Sequence, residues 1–233
     1  MNQITTPGRI GIITGAGPDA GIDLWQKVLK HNKSLYKEHY QGDLSAPEVV
    51  VYSIPQLGLA MDIKSNEAIL WQRLQEVLQR LNSQVDYVCI ACNVLHYFSD
   101  KINQLKLNIE FISIVDVVEN YIKKHGNVAL LSISKVIEFG QYSPYAPSAK
   151  KYPLETPKPA AMDSLVSDIK RLGGEHPDTV AQFDEIVAQL QSDKLILACT
   201  DLPLLPLDKY HKEFVDASDM LAQALAEKAF HHC

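Results

Sequence analysis

A chain of 233 residues with 46% hydrophobic and 21% charged residues has an ordinary globular composition, enough for one or two domains and a core that needs no staples. Its net charge of −6 argues against nucleic-acid binding, which calls for basic patches. No run reaches the ~18–20 apolar residues of a membrane span, no charged-then-apolar leader opens the chain, and four cysteines without a secretory signal read as reduced thiols of a cytoplasmic protein.

The elements alternate along the chain. "RIGIIT" is predicted as a strand, followed by a helix from about Pro18 to Ser34. "PEVVVYS" is a second strand, and "NEAILWQRLQEVLQRL" carries the i, i+3, i+4, i+7 apolar spacing of a helix. "VDYVCIAC" and "NIEFISIVD" hold a third and a fourth strand, and "NVALLS" opens a further set. The proline-rich stretch Tyr142 to Pro159 cannot be continuous helix and is predicted as a loop excursion with a short strand, a candidate cover for a cleft. "AMDSLVSDIKRL" and "DTVAQFDEIVAQLQ" are amphipathic helices, "DKLILAC" is a strand, and "ASDMLAQALAEKAF" closes the chain as a helix. Continuous apolar strands alternating with helices imply parallel sheets covered on both faces.

Two motifs invite readings that the residues do not favour. "TGAGPDAG", Thr14 to Gly21, follows a strand and opens a helix like a dinucleotide fingerprint, but its third glycine falls one place late and the second strand ends without an acid. A backbone-lined anion nest at a helix N-terminus fits better, and it suits a carboxylate as well as a phosphate. "CIAC" resembles a redox or zinc pair, yet residues three apart in a strand face opposite sides. No second pair completes a zinc site, so Cys89 reads as core. The terminal His231, His232 and Cys233 read as a frayed end.

The chain also repeats itself weakly. "GRIGIITGAG" is similar to "GNVALLSIS", and "VDYVCIACNVLHYF" to "SDKLILACTDLPLL". Each later strand ends Ala-Cys, then a small polar residue able to cap a helix, Asn93 or Thr200. The predicted architecture is α/β: two pseudo-symmetric Rossmann-like domains with mainly parallel sheets and a ligand cleft between them, at the carboxyl ends of the strands. A thiol at a strand end before a helix N-terminus gains thiolate character. Two such thiols, Cys92 and Cys199, facing one carbon are suited to take a proton from one side and return it from the other, a two-base racemisation or epimerisation. The competing reading is that both are small core hydrophobes.

These residues resemble a known family. "CNVLHYF" and "CTDLPLL" are similar to the paired signatures C-N-T-A-H-Y-F and C-T-E-L-P-L-L of the cofactor-independent aspartate/glutamate racemase superfamily. "GAGPDAGIDLWQK" resembles its opening G-M-G-P-x-A-T loop, and "DIKRLGG" its I-K-x-G segment. The resemblance implies an amino-acid racemase for aspartate or glutamate, with no cofactor (neither pyridoxal phosphate nor metal), and a homodimer. It implies Cys92 and Cys199 as the acid/base pair, with Asn93 and Thr200 holding the substrate's α-carboxylate and amino group. Lys170 would meet an acidic side chain, and Gly15, Ala16, Ser53 and Gln56 would line the pocket. The first domain would comprise residues 1–114 and 208–233, the closing helix packing back on it, and the second residues 115–207.

Departures from that pattern are systematic. Val94, Gly21, Ile133 and Val136 stand where the family usually has threonine, and Asp201 replaces glutamate. No arginine precedes Arg73 in the loop after the second strand. Alternative readings are therefore a hydantoin racemase, a dicarboxylate cis–trans isomerase, or a catalytically idle carboxylate-binding protein. His96 and Asp201 are possible supporting residues: His96 shares a helix face with Cys92 or serves as a hydrogen-bonded structural residue, and Asp201 is a partner of the site or a helix-start carboxylate.

Overall fold

The computed structural model describes residues 7–232, so the expectation for Cys233 lies outside the described residues. Two four-stranded sheets form, and every pairing in them is parallel. The first contains β1 (Ile10–Thr14), β2 (Val49–Ser53), β3 (Tyr87–Ile90) and β4 (Glu110–Phe111) in the order β2-β1-β3-β4. The second contains β5 (Val128–Leu131), β6 (Leu154–Glu155), β7 (Lys194–Leu197) and β8 (Glu213–Asp216) in the order β6-β5-β7-β8. The two orders are the same once each sheet is counted from its own first strand, which is the structural counterpart of the sequence repeat.

Helices cover both faces. They are α1 (Pro18–Tyr36), α2 (Ile63–Leu81), α3 (Ser99–Gln104) and α4 (Ile114–His125), then α5 (Ser134–Ile137), α6 (Ala146–Lys151), α7 (Pro159–Leu172), α8 (Pro177–Ala188) and α9 (Ala217–Phe230). The central strands β1 and β5 are buried at every position, which explains their unbroken apolar sequences. Cys89, in β3, is fully buried among them. Edge strand β2 is partly open and leaves Val51 and Ser53 exposed.

Four differences from the sequence expectations have physical causes. Residues 213–216, expected with the first domain, form β8 and pair with β7 in the second sheet. The helix that follows, α9, packs along α1 and α4 through small residues such as Ala222, Ala226 and Ala229, which let the axes approach closely. Lys27 on α1 ties this junction by pairing with Asp216 at 2.5 Å. The segment expected wholly as a fourth strand yields only β4 before Ser113 caps α4, its hydroxyl accepting the Asp116 N–H at 3.2 Å. The proline-rich excursion contains the expected short strand, β6, but also α6, whose Pro147 sits at the helix start where its missing N–H costs nothing. At the other end His232 is docked on Tyr87, edge to face at 5.7 Å, not frayed.

Candidate functional site

The strand order reverses beside β1 in one sheet and beside β5 in the other, between β1 and β3 and between β5 and β7. Ligands of open α/β sheets sit at the carboxyl ends of strands at such switch points. Here the residues that follow all four of these strands converge on one cavity. Ala16 follows β1, Cys92 and Asn93 follow β3, Ser132 and Ile133 follow β5, and Cys199 and Thr200 follow β7. Cys92 and Cys199, at equivalent places in the two halves, therefore line the same space.

The turns after the cysteines are tighter than the expected α-helices. Val94–Phe98 and Leu202–Leu204 are 3-10 turns, too short for a full helix dipole. Direct contacts do the work instead. Burial pushes the Cys92 thiol up to about 11, while the N–H groups of Leu95 and Val94 and the Lys170 ammonium favour its thiolate. Cys199 is only half-buried; desolvation and then the adjacent Asp201 carboxylate push its thiol up further, and the thiol donates to Asp201 Oδ2 at 3.7 Å. Both thiols have a backbone N–H and the Lys170 ammonium favouring their thiolates, and they differ in that Cys199 also donates to the Asp201 carboxylate.

Asn93 and Thr200 do not cap their turns with their side chains. Each reaches across to the other half of the molecule. Thr200 Oγ1 donates to the Ala91 carbonyl at 3.1 Å. Asn93 Oδ1 accepts from the Tyr145 hydroxyl at 2.6 Å, and Tyr145 is fully buried. This bond holds the amide by its oxygen, and the buried Nδ2 of this cavity-lining residue has no hydrogen-bond partner among the described residues. An unsatisfied buried donor marks a place where an acceptor is wanted.

His96 serves the turn and not the thiol. Its Nδ1 hydrogen-bonds the Cys92 carbonyl at 2.9 Å, and its Nε2 accepts the Ile114 N–H at 3.1 Å, which fixes the Nδ1–H tautomer. Both ring nitrogens are committed to backbone, so the ring clamps the strand end to the start of α4. Burial holds this imidazole down to about 4, so it stays neutral. A histidine depressed in the folded state contributes stability above its unfolded value of 6.5 that is lost as pH falls through 4. Acidification across that window is expected to cost roughly 3 kcal/mol. Denaturant titrations at pH 7 and pH 4 check this: His96→Gln should lack that share of the acid loss, and an unchanged loss would contradict the clamp.

Lys170, on the last turn of α7, pairs with Asp201 at 2.7 Å and donates to the Ala16 carbonyl at 3.1 Å. Burial opposes the lysine's charge, but Asp201 outweighs it and its pKa is raised. Gly17, with φ 112°, gives the pair its room, since a Cβ there would overlap Asp201. Val94, Ile133, Met61 and Val166 form the apolar wall.

Of the other residues expected here, Gly15 lines a neighbouring cavity that shares Gly58, Lys170 and Asp201 with the first one. Ser53 and Gln56 are exposed and are not brought to either cavity; the 3-10 segment Pro55–Asp62 presents Gly58, Ala60 and Met61 to the main one instead. Val136 is buried in the core, away from the lining. Gly21 has a packing reason: a Cβ would overlap the Thr14 side chain, which already fills that space. Sequence reasoning missed Ser132 and Tyr145. Ser132 was visible only as the repeat's counterpart of Thr14, and its hydroxyl donates to the Ala198 carbonyl at 2.6 Å. Among the described residues no three His, Cys, Asp or Glu side chains gather as a metal site requires, and no helix is long and apolar enough to cross a membrane.

Comparison with known proteins agrees with this layout. The sequence model of the Asp/Glu/Hydantoin racemase family matches residues 13–225. The structure is similar to the aspartate racemase of Picrophilus torridus, with a TM-score of 0.79 and 21% identity over 95% of this chain and 94% of that one. It is also similar to an aspartate racemase homologue from Pyrococcus horikoshii, with a TM-score of 0.68 and 20% identity over 95% of this chain and 99% of that one. For the glutamate racemase of Campylobacter jejuni the TM-score is 0.65 and the identity 21%, over 94% and 85% of the two chains. At these identities the structural likeness speaks for the fold. No curated protein matches by sequence. The family match spans most of the chain: the protein belongs to the Asp/Glu/Hydantoin racemase family, and it is an isomerase acting on small molecules.

Proposed function

We propose that the protein racemises an amino acid by a two-thiol mechanism at the α-carbon. The observation that carries this reading is the position of Cys92 and Cys199, at equivalent strand ends and on one cavity. The Cys92 thiolate takes the α-proton; the C–H bond breaks, an S–H bond forms, and the electron pair moves into the substrate carboxylate. The Cys199 thiol then donates its proton to the opposite face, with Asp201 accepting its hydrogen bond beforehand. In the reverse direction the roles exchange. The Asn93 amide Nδ2 is the donor available to the carboxylate on which the negative charge develops. Purified protein without added cofactor should abolish the optical rotation of a single enantiomer; unchanged rotation across the amino acids and hydantoins would retire the proposal.

In this reading Tyr145 is a positioning residue, acting through Asn93. Tyr145→Phe removes the bond that orients the amide and lets it turn its oxygen toward the substrate carboxylate. The expected result in steady-state kinetics is a KM about tenfold higher, near the ~1–2 kcal/mol of a lost buried hydrogen bond, with kcat changed less than about threefold. A loss confined to kcat would contradict that role.

A further inference from the structure

We propose, building on the amino-acid reading above, that the substrate's side chain carries no net charge and is mainly apolar. This departs from the acidic substrate implied by the resemblance. The charged inventory of the cavity is one cation and one anion, Lys170 and Asp201, and they are 2.7 Å apart. No arginine lines the cavity among the described residues. Lys170 spends a second proton on the Ala16 carbonyl, so a single N–H is left for a ligand. The pair is a built feature: Gly17 is bare at the one point where a side chain would displace Asp201.

A zwitterionic amino acid complements this arrangement. Its ammonium faces Asp201, and its carboxylate faces the free Asn93 Nδ2 and the remaining Lys170 proton. The charges then balance within the cavity. A second carboxylate would add a net negative charge beside Asp201 with no unpaired cation to meet it, and burying an uncompensated charge is strongly unfavourable. Met61, Val94, Ile133 and Val166 supply the large apolar surface of the lining, and the Ser132 hydroxyl beside them is already donated to the Ala198 carbonyl. The hydroxyls that would bind a polar end are missing at positions 94 and 133, where methyl groups stand instead.

Calorimetric titration of the wild-type protein with matched pairs tests this. 2-Aminobutyrate and asparagine are compared with aspartate, and norvaline and glutamine with glutamate, each pair close in length and different in charge. The apolar members are expected to bind at least tenfold more tightly than their acids, with the amides between them. An acid that binds as tightly as its apolar partner, or apolar members that do not bind, would overturn the inference. Asp201→Asn, which frees Lys170, is expected to shift the preference at least tenfold toward the acids; an unchanged preference would count against the pairing argument. Exchange of the α-hydrogen with deuterated water, followed on the same compounds, tests the two-thiol reading separately. Selective binding of the apolar members without exchange would support this inference while overturning that mechanism.

Discussion

Cys92→Ser and Cys199→Ser are each expected to lower kcat/KM for racemisation by about a thousandfold, within the range that a positioned proton-transfer group contributes. Serine keeps the size and the hydrogen bonds of the thiol, so the fold should survive and the melting temperature should move little. What changes is acidity. A hydroxyl is a far weaker acid than the Cys92 thiol at about 11, so the base is lost from one face. The two faces should fail separately. With Cys199 replaced, the Cys92 thiolate can still remove and return the α-hydrogen of the enantiomer that faces it. With Cys92 replaced, the same holds for the other enantiomer. Each variant should therefore retain solvent exchange with one enantiomer, opposite in the two cases, while racemisation collapses. Full racemase activity in both variants would end the two-thiol account.

Gly15→Ala is the largest expected effect on stability. Gly15 ends the turn after β1 with φ 119°, a conformation that L side chains rarely adopt. A Cβ built there overlaps the backbone of Ile54, at the end of the neighbouring strand, and a backbone carbonyl cannot rotate away as a side chain can. The cost combines backbone strain with overpacking, about 3–5 kcal/mol in all. That corresponds to a melting temperature about 10 °C lower for a chain of this size. Gly42 supplies the control, with φ 64° and open space around its missing Cβ. Gly42→Ala should cost only the strain, about 1–2 kcal/mol. Equal melting temperatures for the two variants would show that the close approach at Ile54 is not rigid.

The parts legible in the sequence were those whose environment is uniform. β1, β5 and β7 lie in the middle of buried sheets, so their apolar runs are unbroken and identify themselves. β8 is an edge strand of four residues with acids at both ends, and "EFVD" carries no such signal. The start of α4 was hidden for a different reason. Ile114 and Val115 are β-branched and run on from β4, and only the Ser113 cap turns them into helix. At the site, Cys92 and Cys199 were legible because the repeat marks both. Tyr145 was not, because its bond to Asn93 joins positions far apart in the chain, from within a segment that reads as loop. Ser53 and Gln56 were misplaced because Pro55 starts a 3-10 segment that turns Gly58, Ala60 and Met61 inward instead. The same limit applies to Lys170. Its position follows from the sequence, but its pairing with Asp201 does not.

The most direct test of the two-thiol account is the isotopic content of both enantiomers early in the reaction. A single enantiomer of the tightest-binding amino acid is incubated with wild-type protein in deuterated water, and the two antipodes are separated at low conversion. The account predicts deuterium at the α-carbon of essentially every product molecule and little in the remaining substrate, because one sulfur removes hydrogen and the other delivers deuterium. Product that retains the substrate's own hydrogen would mean that one group serves both faces, and the paired roles of Cys92 and Cys199 would then be wrong.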